Sequence, residues 1–125
     1  MAMVESHNEL YGMLGRAGER RSFAPGEVVF EKGDHGDAFY VTVSGVVVLK
    51  DGERVLERLE APGMFGEMAL IEAKPRSLTA VAEDDVEVAE IPPRVFWVLV
   101  HEHPYFAQLV MGVMADRLRR ASATS

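Results

Sequence analysis

The middle of the chain, from about residue 23 to residue 91, is a series of short apolar runs separated by polar turns. The runs are rich in valine and aromatic residues, and glycine-containing turns such as 33–37 and Asp51-Gly52 divide them. This composition predicts short strands joined by tight turns. Strands are expected near 28–30, 40–43, 46–50, 53–59 and 81–91. Strands at such regular intervals favour an antiparallel barrel or sandwich.

Both ends of the chain have helical spacing instead. The N-terminal pattern predicts one short helix within residues 5–18, which the glycines in it weaken. At the other end, Pro92-Pro93 suits the start of a helix, and a second helix is predicted from Pro104. An apolar stripe at intervals of three and four residues marks this last helix: Phe106, Leu109, Val110, Val113, Met114 and Leu118.

The stripe on the last helix allows two interpretations. It packs on the predicted sheets, or it also pairs with a second copy of the chain in a homodimer. We favour packing, because the stripe is wider than the narrow seam of a coiled coil. Arg117, Arg119 and Arg120 lie near the end of this helix, where positive charge suits the helix dipole.

Length and composition narrow the class of protein. At 125 residues the chain suits one domain with one core and not a multi-domain enzyme. We divide the predicted domain, 1–125, into an N-terminal helical segment 1–22, a β-roll 23–91 and C-terminal helices 93–120. The absence of cysteine excludes disulfides and thiolate chemistry.

Net charge and the N-terminal sequence predict the surroundings of the protein. A net charge of −7 opposes non-specific attraction to nucleic acids and anionic membranes, so we predict no direct nucleic-acid or membrane partner. No apolar run approaches the roughly 18 residues that suggest a transmembrane helix. Since the N-terminus does not have the pattern of a secretory signal, the predicted location is cytoplasmic.

Residues 65–81, FGEMALIEAKPRSLTAV, hold the candidate chemistry and are called the 65–81 segment below. Gly66 removes side-chain bulk just before a short helical turn predicted over 67–71. The first backbone N–H groups of a helix have no partner within it, and they favour anions. Those of Met68 and Ala69 would therefore face a bound anion.

Two side chains of the 65–81 segment suit a phosphate, and a third suits a sugar. Arg76 has a planar guanidinium that can bind two phosphate oxygens together, and Ser77 can donate a further hydrogen bond. Glu67 does not suit a phosphate, but its carboxylate can accept a hydrogen bond from a ribose hydroxyl. The combination predicts a ligand in which a phosphate is joined to a sugar.

FGEMALI followed by PRSLTAV resembles the phosphate-binding cassette of the cyclic nucleotide-binding domain family, which includes catabolite activator proteins and protein kinase A regulatory subunits. GEVVFEKGDHGDAFYVTVSGVVVL resembles the first strands of that family, and APGMFGE resembles the approach to the cassette. The resemblance covers residues 23 to 118. It implies an antiparallel β-jelly-roll with a short N-terminal helix and two C-terminal helices.

The resemblance also implies a role for each residue of the site. Gly66 and Glu67 would face the ribose, with Glu67 accepting from the 2′-hydroxyl, while Arg76 pairs with the cyclic phosphate and Ser77 adds a hydrogen bond. Residues near Ala121 and Ser122 would approach the base. The implied ligand-binding residues are Phe65, Gly66, Glu67, Met68, Ala69, Arg76, Ser77, Leu78 and Thr79.

Two positions depart from the family pattern. Met64 stands where the family often has an acidic residue, and we take this position to be peripheral to the site. Leu78 stands where a small alanine is usual, so we expect it to narrow the pocket or repack its wall.

The resemblance implies a regulatory domain that binds a cyclic nucleotide and needs no other cofactor. Ser77 favours cAMP over cGMP, since cGMP-selective relatives often have threonine there. Binding would move the C-terminal helices and so signal to a protein effector. No catalytic motif is present, so we predict that the chain is not an enzyme. The alternative is a ligand-independent interaction module of the same fold.

Other patterns predict sites less well. His101-Glu102-His103 suggests a metal-dependent, cupin-like enzyme, but the sequence around it favours a loop or helix cap, so no metal site is predicted. The acidic run Glu83-Asp84-Asp85 lacks the ligand spacing of a cation loop and is expected to be a solvated turn. Trp97 could stack on a purine, but its helical spacing favours a core or interface position.

Overall fold

The computed structural model describes residues 7–123, with side chains described as far as Arg120. One helix precedes the strands, one lies between the sixth and seventh strands, and two follow the last strand. The helices are α1 (His7–Ala17), α2 (Glu67–Glu72), α3 (Pro93–Glu102) and α4 (Pro104–Ala123). The strands are β1 (Glu19–Phe23), β2 (Val28–Phe30), β3 (Phe39–Ser44), β4 (Val46–Asp51), β5 (Arg54–Glu60), β6 (Gly63–Phe65), β7 (Thr79–Ala82) and β8 (Val86–Ile91).

The strands form two antiparallel four-stranded sheets. One sheet has the order β1-β8-β3-β6 and the other has the order β2-β7-β4-β5. In the second sheet, β4 lies between β5 and β7, with Val48 opposite both Arg58 and Val81. The fold is thus the predicted β-jelly-roll with an N-terminal helix and C-terminal helices, and the predicted fold class is confirmed.

The sequence pattern did not predict β1 and β6. β1 lies partly inside the segment 1–22 that was expected to be helical, and most of its residues are exposed. It is a strand because its backbone pairs with β8, from Glu19 opposite Glu90 to Phe23 opposite Val86. Such pairing depends on a partner distant in sequence, so local propensity does not reveal it. Residues 5 and 6, where the N-terminal helix was expected to start, lie outside the described residues.

Alternating residues of β3 enter two different cores, which explains why this strand is buried on both faces. Phe39 and Val41 face the helices, and Tyr40 faces the opposite sheet. The first core joins α1, α3 and α4 to the first sheet, with Leu10, Leu14, Met64, Ile91, Phe96, Phe106, Leu109 and Val110. The second core lies between the sheets, with Phe30, Val47, Leu49, Phe65, Ala80, Ala82, Val86 and Val88.

The two C-terminal helices begin where the prolines predicted. Pro93 occupies the first turn of α3, where its missing N–H costs nothing. His103 ends α3 and caps α4, because its Nδ1 accepts a hydrogen bond from the backbone N–H of Phe106 at 3.2 Å. The aromatic rings of Phe96 and Phe106 then meet edge to face, with 5.6 Å between their centroids.

Among residues 7–123, no helix is both long enough and apolar enough to cross a membrane.

Candidate functional site

A cavity of about 360 Å³ opens between α2, β5 and α4. This volume falls in the range of small-molecule sites, roughly 300–1,000 Å³. Apolar side chains line much of it, and six charged side chains reach it from three parts of the chain. The lining residues are Phe30, Leu49, Arg54, Leu56, Glu57, Gly66, Glu67, Met68, Ala69, Arg76, Ser77, Leu78, Arg117 and Arg120.

The 65–81 segment forms one wall of the cavity. Gly66 precedes α2 with φ at +84°, a left-handed conformation that glycine adopts without steric cost. A side chain at this position would also crowd the site, since a Cβ would lie 3.0 Å from Arg76 Nη1 and 3.1 Å from Tyr40 Cδ2. Glycine therefore allows both the turn into α2 and the close approach of Arg76.

Arg76 is held in the lining of the cavity by hydrogen bonds to backbone groups. Its own backbone N–H donates to Asp34 O, and its carbonyl accepts from Gly33 N–H, both at 2.8 Å. Its guanidinium donates from Nη1 to Gly66 O at 2.6 Å and from Nη2 to Ala38 O at 2.7 Å. The first two bonds fix the backbone at Arg76, and the last two fix the direction of its guanidinium.

The Arg76 guanidinium is buried, with 4% exposure, and no carboxylate among the described residues forms an ion pair with it. The rings of Phe30 and Tyr40 lie 4.1 Å and 5.7 Å from its Cζ and supply cation–π attraction. Burial lowers the pKa of Arg76, against the opposing effects of Tyr40 and nearby aspartates. Its buried Nε has no hydrogen-bond acceptor among the described residues. An anion in the cavity would supply both the missing charge and an acceptor.

Glu67 is fully buried in the first turn of α2 and pairs with Arg117 of α4. Nη1 of Arg117 contacts both carboxylate oxygens of Glu67, at 2.6 Å from Oε2 and in a shorter contact with Oε1. Nη2 of the same arginine donates to Met64 O at 2.8 Å. Through Arg117, the last helix is thus attached directly to the wall of the cavity.

A second carboxylate, Glu57 on β5, completes this group of charges. It accepts from Arg117 Nε at 3.0 Å and forms an ion pair with Arg120 Nη1 at 2.8 Å. The group therefore contains two carboxylates and two guanidiniums. The cavity still has a positive balance, because Arg54 and Arg76 add two further charges.

Seven of the nine residues expected to bind ligand line the cavity, and two do not. Phe65 is fully buried in the second core, where its ring stacks on Tyr40 with 5.1 Å between centroids. Thr79 begins β7, and its Oγ1 accepts from the Lys32 backbone N–H at 3.0 Å. The seven that line the cavity are Gly66, Glu67, Met68, Ala69, Arg76, Ser77 and Leu78.

Other predicted positions can also be placed. Leu78 is half-buried on the cavity wall and packs against the second core. Met64 does not line the cavity: its side chain is buried in the first core, and its carbonyl accepts a hydrogen bond from Arg117. The side chains of Ala121 and Ser122, expected near the base, lie outside those that the structure describes.

The cavity residues that lie outside the 65–81 segment were not predicted from the sequence. Arg117 was assigned to the helix dipole, although one signal was available: it falls on the helical face of Val110, Val113 and Met114, which pack towards the first core. A charged residue on a packed face needs a buried partner. Glu57 gave no comparable signal, since the strand around it is largely exposed.

The described part of the chain does not support the metal site, the cation site or the stacking role of Trp97 that the sequence had suggested. No group of three or more histidine, aspartate or glutamate residues there could hold a metal ion. Asp84, in the acidic run, accepts a hydrogen bond from the Val46 backbone N–H at 2.8 Å. This contact is a structural role in a turn. Trp97 lies on the exposed side of α3 and does not line the cavity.

The family model of the cyclic nucleotide-binding domain matches residues 20–103. The chain therefore belongs to the cyclic nucleotide-binding domain family. Its fold matches the crystal structure of the Thermus thermophilus catabolite activator protein with a TM-score of 0.79 and 30% identity, covering 96% of this chain and 58% of that one.

Curated relatives have the same domain within longer proteins. The cyclic AMP receptor protein of Thermus thermophilus is 34% identical over 108 residues, which are 82% of this chain and 50% of the relative. A cAMP-dependent protein kinase regulatory subunit of Hypocrea atroviridis is 36% identical over 102 residues, or 82% of this chain and 20% of the relative. The chain thus spans half of one relative and a fifth of the other.

Proposed function

We propose that the cavity binds a cyclic nucleotide and that the chain acts as a regulatory sensor and not as an enzyme. The observation that carries the proposal is Arg76, a buried guanidinium on the cavity wall whose Nε has no acceptor in the described structure. A cyclic phosphate has one negative charge and can accept from that nitrogen. Ser77, beside it on the wall, adds a hydroxyl donor.

The rest of the ligand would extend from Arg76 towards α4. Glu67 would accept from the ribose 2′-hydroxyl, because a carboxylate has about four acceptor sites and Arg117 does not use all of them. The base would then lie against the apolar lining, which includes Leu49, Leu56 and Leu78. The phosphate and sugar thus meet the two side chains of opposite charge that the 65–81 segment supplies.

We propose cAMP as the preferred ligand over cGMP, based on Ser77. Ser77→Thr should therefore raise the affinity for cGMP relative to that for cAMP. Titration calorimetry with both nucleotides on both proteins measures this ratio. An unchanged ratio would remove Ser77 as the basis of the preference and leave binding itself untouched.

The proposed output is the position of α4. Arg117 links α4 to Glu67, so a ligand that engages Glu67 changes a contact of the last helix. Ligand binding would then shift an equilibrium between arrangements of α4 and so signal to a protein effector. A spin label on exposed Leu118, with a second label on exposed Val55, would report the change as a shift in their distance distribution on adding cAMP. An unchanged distribution at saturating cAMP would contradict this output.

Exposed apolar residues on α4 support the other interpretation of this helix, in which it also pairs with a second copy of the chain in a homodimer. Met111 and Leu118, seven residues apart and so on one helical face, are 62% and 69% exposed. Sedimentation equilibrium of the wild type and of Met111→Glu would test pairing through this face. A monomer at all concentrations would favour the interpretation in which α4 only packs on the sheets.

Calorimetry with Arg76 variants tests the binding proposal. Arg76→Ala should lose about 2–5 kcal/mol of affinity for cAMP, as expected when one partner of a buried charge pair is removed. Arg76→Lys keeps the charge but not the planar guanidinium, and its affinity for cAMP should lie between those of the wild type and Arg76→Ala. Arg58→Ala is the matched control, since Arg58 is an exposed arginine in surface ion pairs.

Two results would refute the binding proposal. One is the absence of heat when either nucleotide is added to the wild type, which would favour the ligand-independent interaction module. The other is an Arg76→Ala protein that is folded, as judged by circular dichroism, and binds with unchanged affinity.

A further inference from the structure

Glu57 is a partly buried carboxylate on a strand that is otherwise largely exposed. Its side chain is 11% exposed, whereas Glu60 on the same strand is 70% exposed. Carboxylates are seldom buried to this extent without a partner. Arg117 and Arg120, one turn apart on α4, both pair with Glu57. Glu57 therefore joins β5 to the last helix at the cavity.

The contact between Glu57 and Arg117 affects the direction of the whole guanidinium. Arg117 donates from Nε to Glu57 and from Nη2 to the Met64 carbonyl, at 3.0 Å and 2.8 Å. Because the guanidinium is planar and rigid, these two acceptors determine where Nη1 points. It points at Glu67. Glu57 thus acts on Glu67 through Arg117.

We propose that Glu57 is a positioning residue for ligand binding, which orients the Glu67 carboxylate towards the sugar hydroxyl by fixing Arg117. This inference rests on the proposed function. With Glu57 in place, Arg117 approaches Glu67 from α4, and the carboxylate can still accept from the cavity that it lines. Without the charge of Glu57, Arg117 and Arg120 lose a shared partner and the direction of Nη1 is no longer fixed.

The experiment compares two ligands that differ by one hydroxyl. Titration calorimetry measures the affinities of cAMP and 2′-deoxy-cAMP for the wild type and for Glu57→Gln. The wild type should prefer cAMP by at least about tenfold, as expected for a hydrogen bond to a charged group. In Glu57→Gln this preference should fall at least about threefold, because the hydrogen bond from the hydroxyl is the contact that is weakened.

The ratio of the two affinities separates positioning from a general structural role. If Glu57 only stabilised the fold, its replacement would weaken both ligands by the same factor and leave the ratio unchanged. Glu60→Gln is the matched control, because Glu60 lies on the same strand in an exposed pair with Arg58. It should leave the ratio at the wild-type value.

A second variant covers the case in which Glu57→Gln does not fold. Arg117→Lys keeps a cation on α4, but an ammonium cannot hold three acceptors in fixed directions. It should reduce the preference for cAMP over 2′-deoxy-cAMP in the same way.

The outcomes distinguish this inference from the proposed function. A wild type that binds cAMP, together with folded variants of unchanged ratio, would overturn the positioning role and leave the proposed function standing. A wild type that binds neither ligand would overturn both.

Discussion

Arg117→Ala should strongly destabilise the ligand-free protein, because it removes the partner of a buried carboxylate. Glu67 has 0% exposure and the Arg117 side chain has 17%. Removing one partner of a buried ion pair costs about 3–5 kcal/mol. We expect a loss of about 3 kcal/mol, the lower end of this range, because the exposed part of Arg117 lets solvent screen the charges. That is a large share of the roughly 5–15 kcal/mol that stabilises a domain.

Urea unfolding followed by circular dichroism measures this loss. Arg119→Ala is the control on the same helix: Arg119 is 72% exposed and pairs with Asp116, so it should cost about 0–1 kcal/mol. The same Arg117→Ala change in a Glu67→Gln background should cost less, since no buried charge is then left without a partner. We expect the difference to be at least about 1 kcal/mol, in the range of coupled neighbouring residues.

Two outcomes would refute this reasoning. If Arg117→Ala costs no more than Arg119→Ala, the ion pair with Glu67 does not hold α4 against the cavity. If Glu67→Gln leaves the cost of Arg117→Ala unchanged, the loss arises from contacts of Arg117 other than this pair.

Three further predictions concern buried positions near the site and in the cores. Gly36→Ala should cost about 1–3 kcal/mol in urea unfolding and weaken cAMP binding, because the new Cβ would lie 2.4 Å from Ala69 Cβ; unchanged stability would show that the loop can move. Thr42→Val should keep or raise stability by about 1 kcal/mol, since the buried Oγ1 has no partner among the described residues; a clear loss would reveal a missing partner. Burial and Glu90 raise the pKa of Tyr40 from 10.0 to about 12. As the pH rises between these values, the phenol ionises first in the unfolded protein, so the free energy of unfolding should fall. Urea unfolding at each pH should show that it falls less steeply for Tyr40→Phe; equal slopes would contradict the raised pKa.

The main elements of the fold followed from periodicity and turn residues. The valine-rich runs, the glycine turns and the paired prolines predicted the strands β2 to β5, the strand character of β7 and β8, and the starts of α3 and α4. They missed β1 and β6, the first of which is exposed and the second only three residues long. A strand of this kind is defined by hydrogen bonds to a neighbour, so its own composition indicates little.

The candidate site divides in the same way. Gly66, Glu67, Arg76 and Ser77 lie within twelve residues of one another, and their types and order alone predicted a phosphate joined to a sugar. Phe65 and Thr79, which belong to the same segment, do not line the cavity. Alternation along a strand and contacts with the core decide which side chains face the cavity, and neither can be read from their position in the segment.

What the sequence determined by itself is therefore local: where strands and helices form, and which short segment holds the chemistry of the candidate site. Only the tertiary structure decided that Arg76 is buried with no acceptor for its Nε among the described residues, and that Arg117 and Glu57 join Glu67 at the cavity. The physical reason is distance along the chain. Glu57 and Arg117 are 60 residues apart, so they meet only because the fold brings the end of α4 close to β5, and no local pattern records that contact.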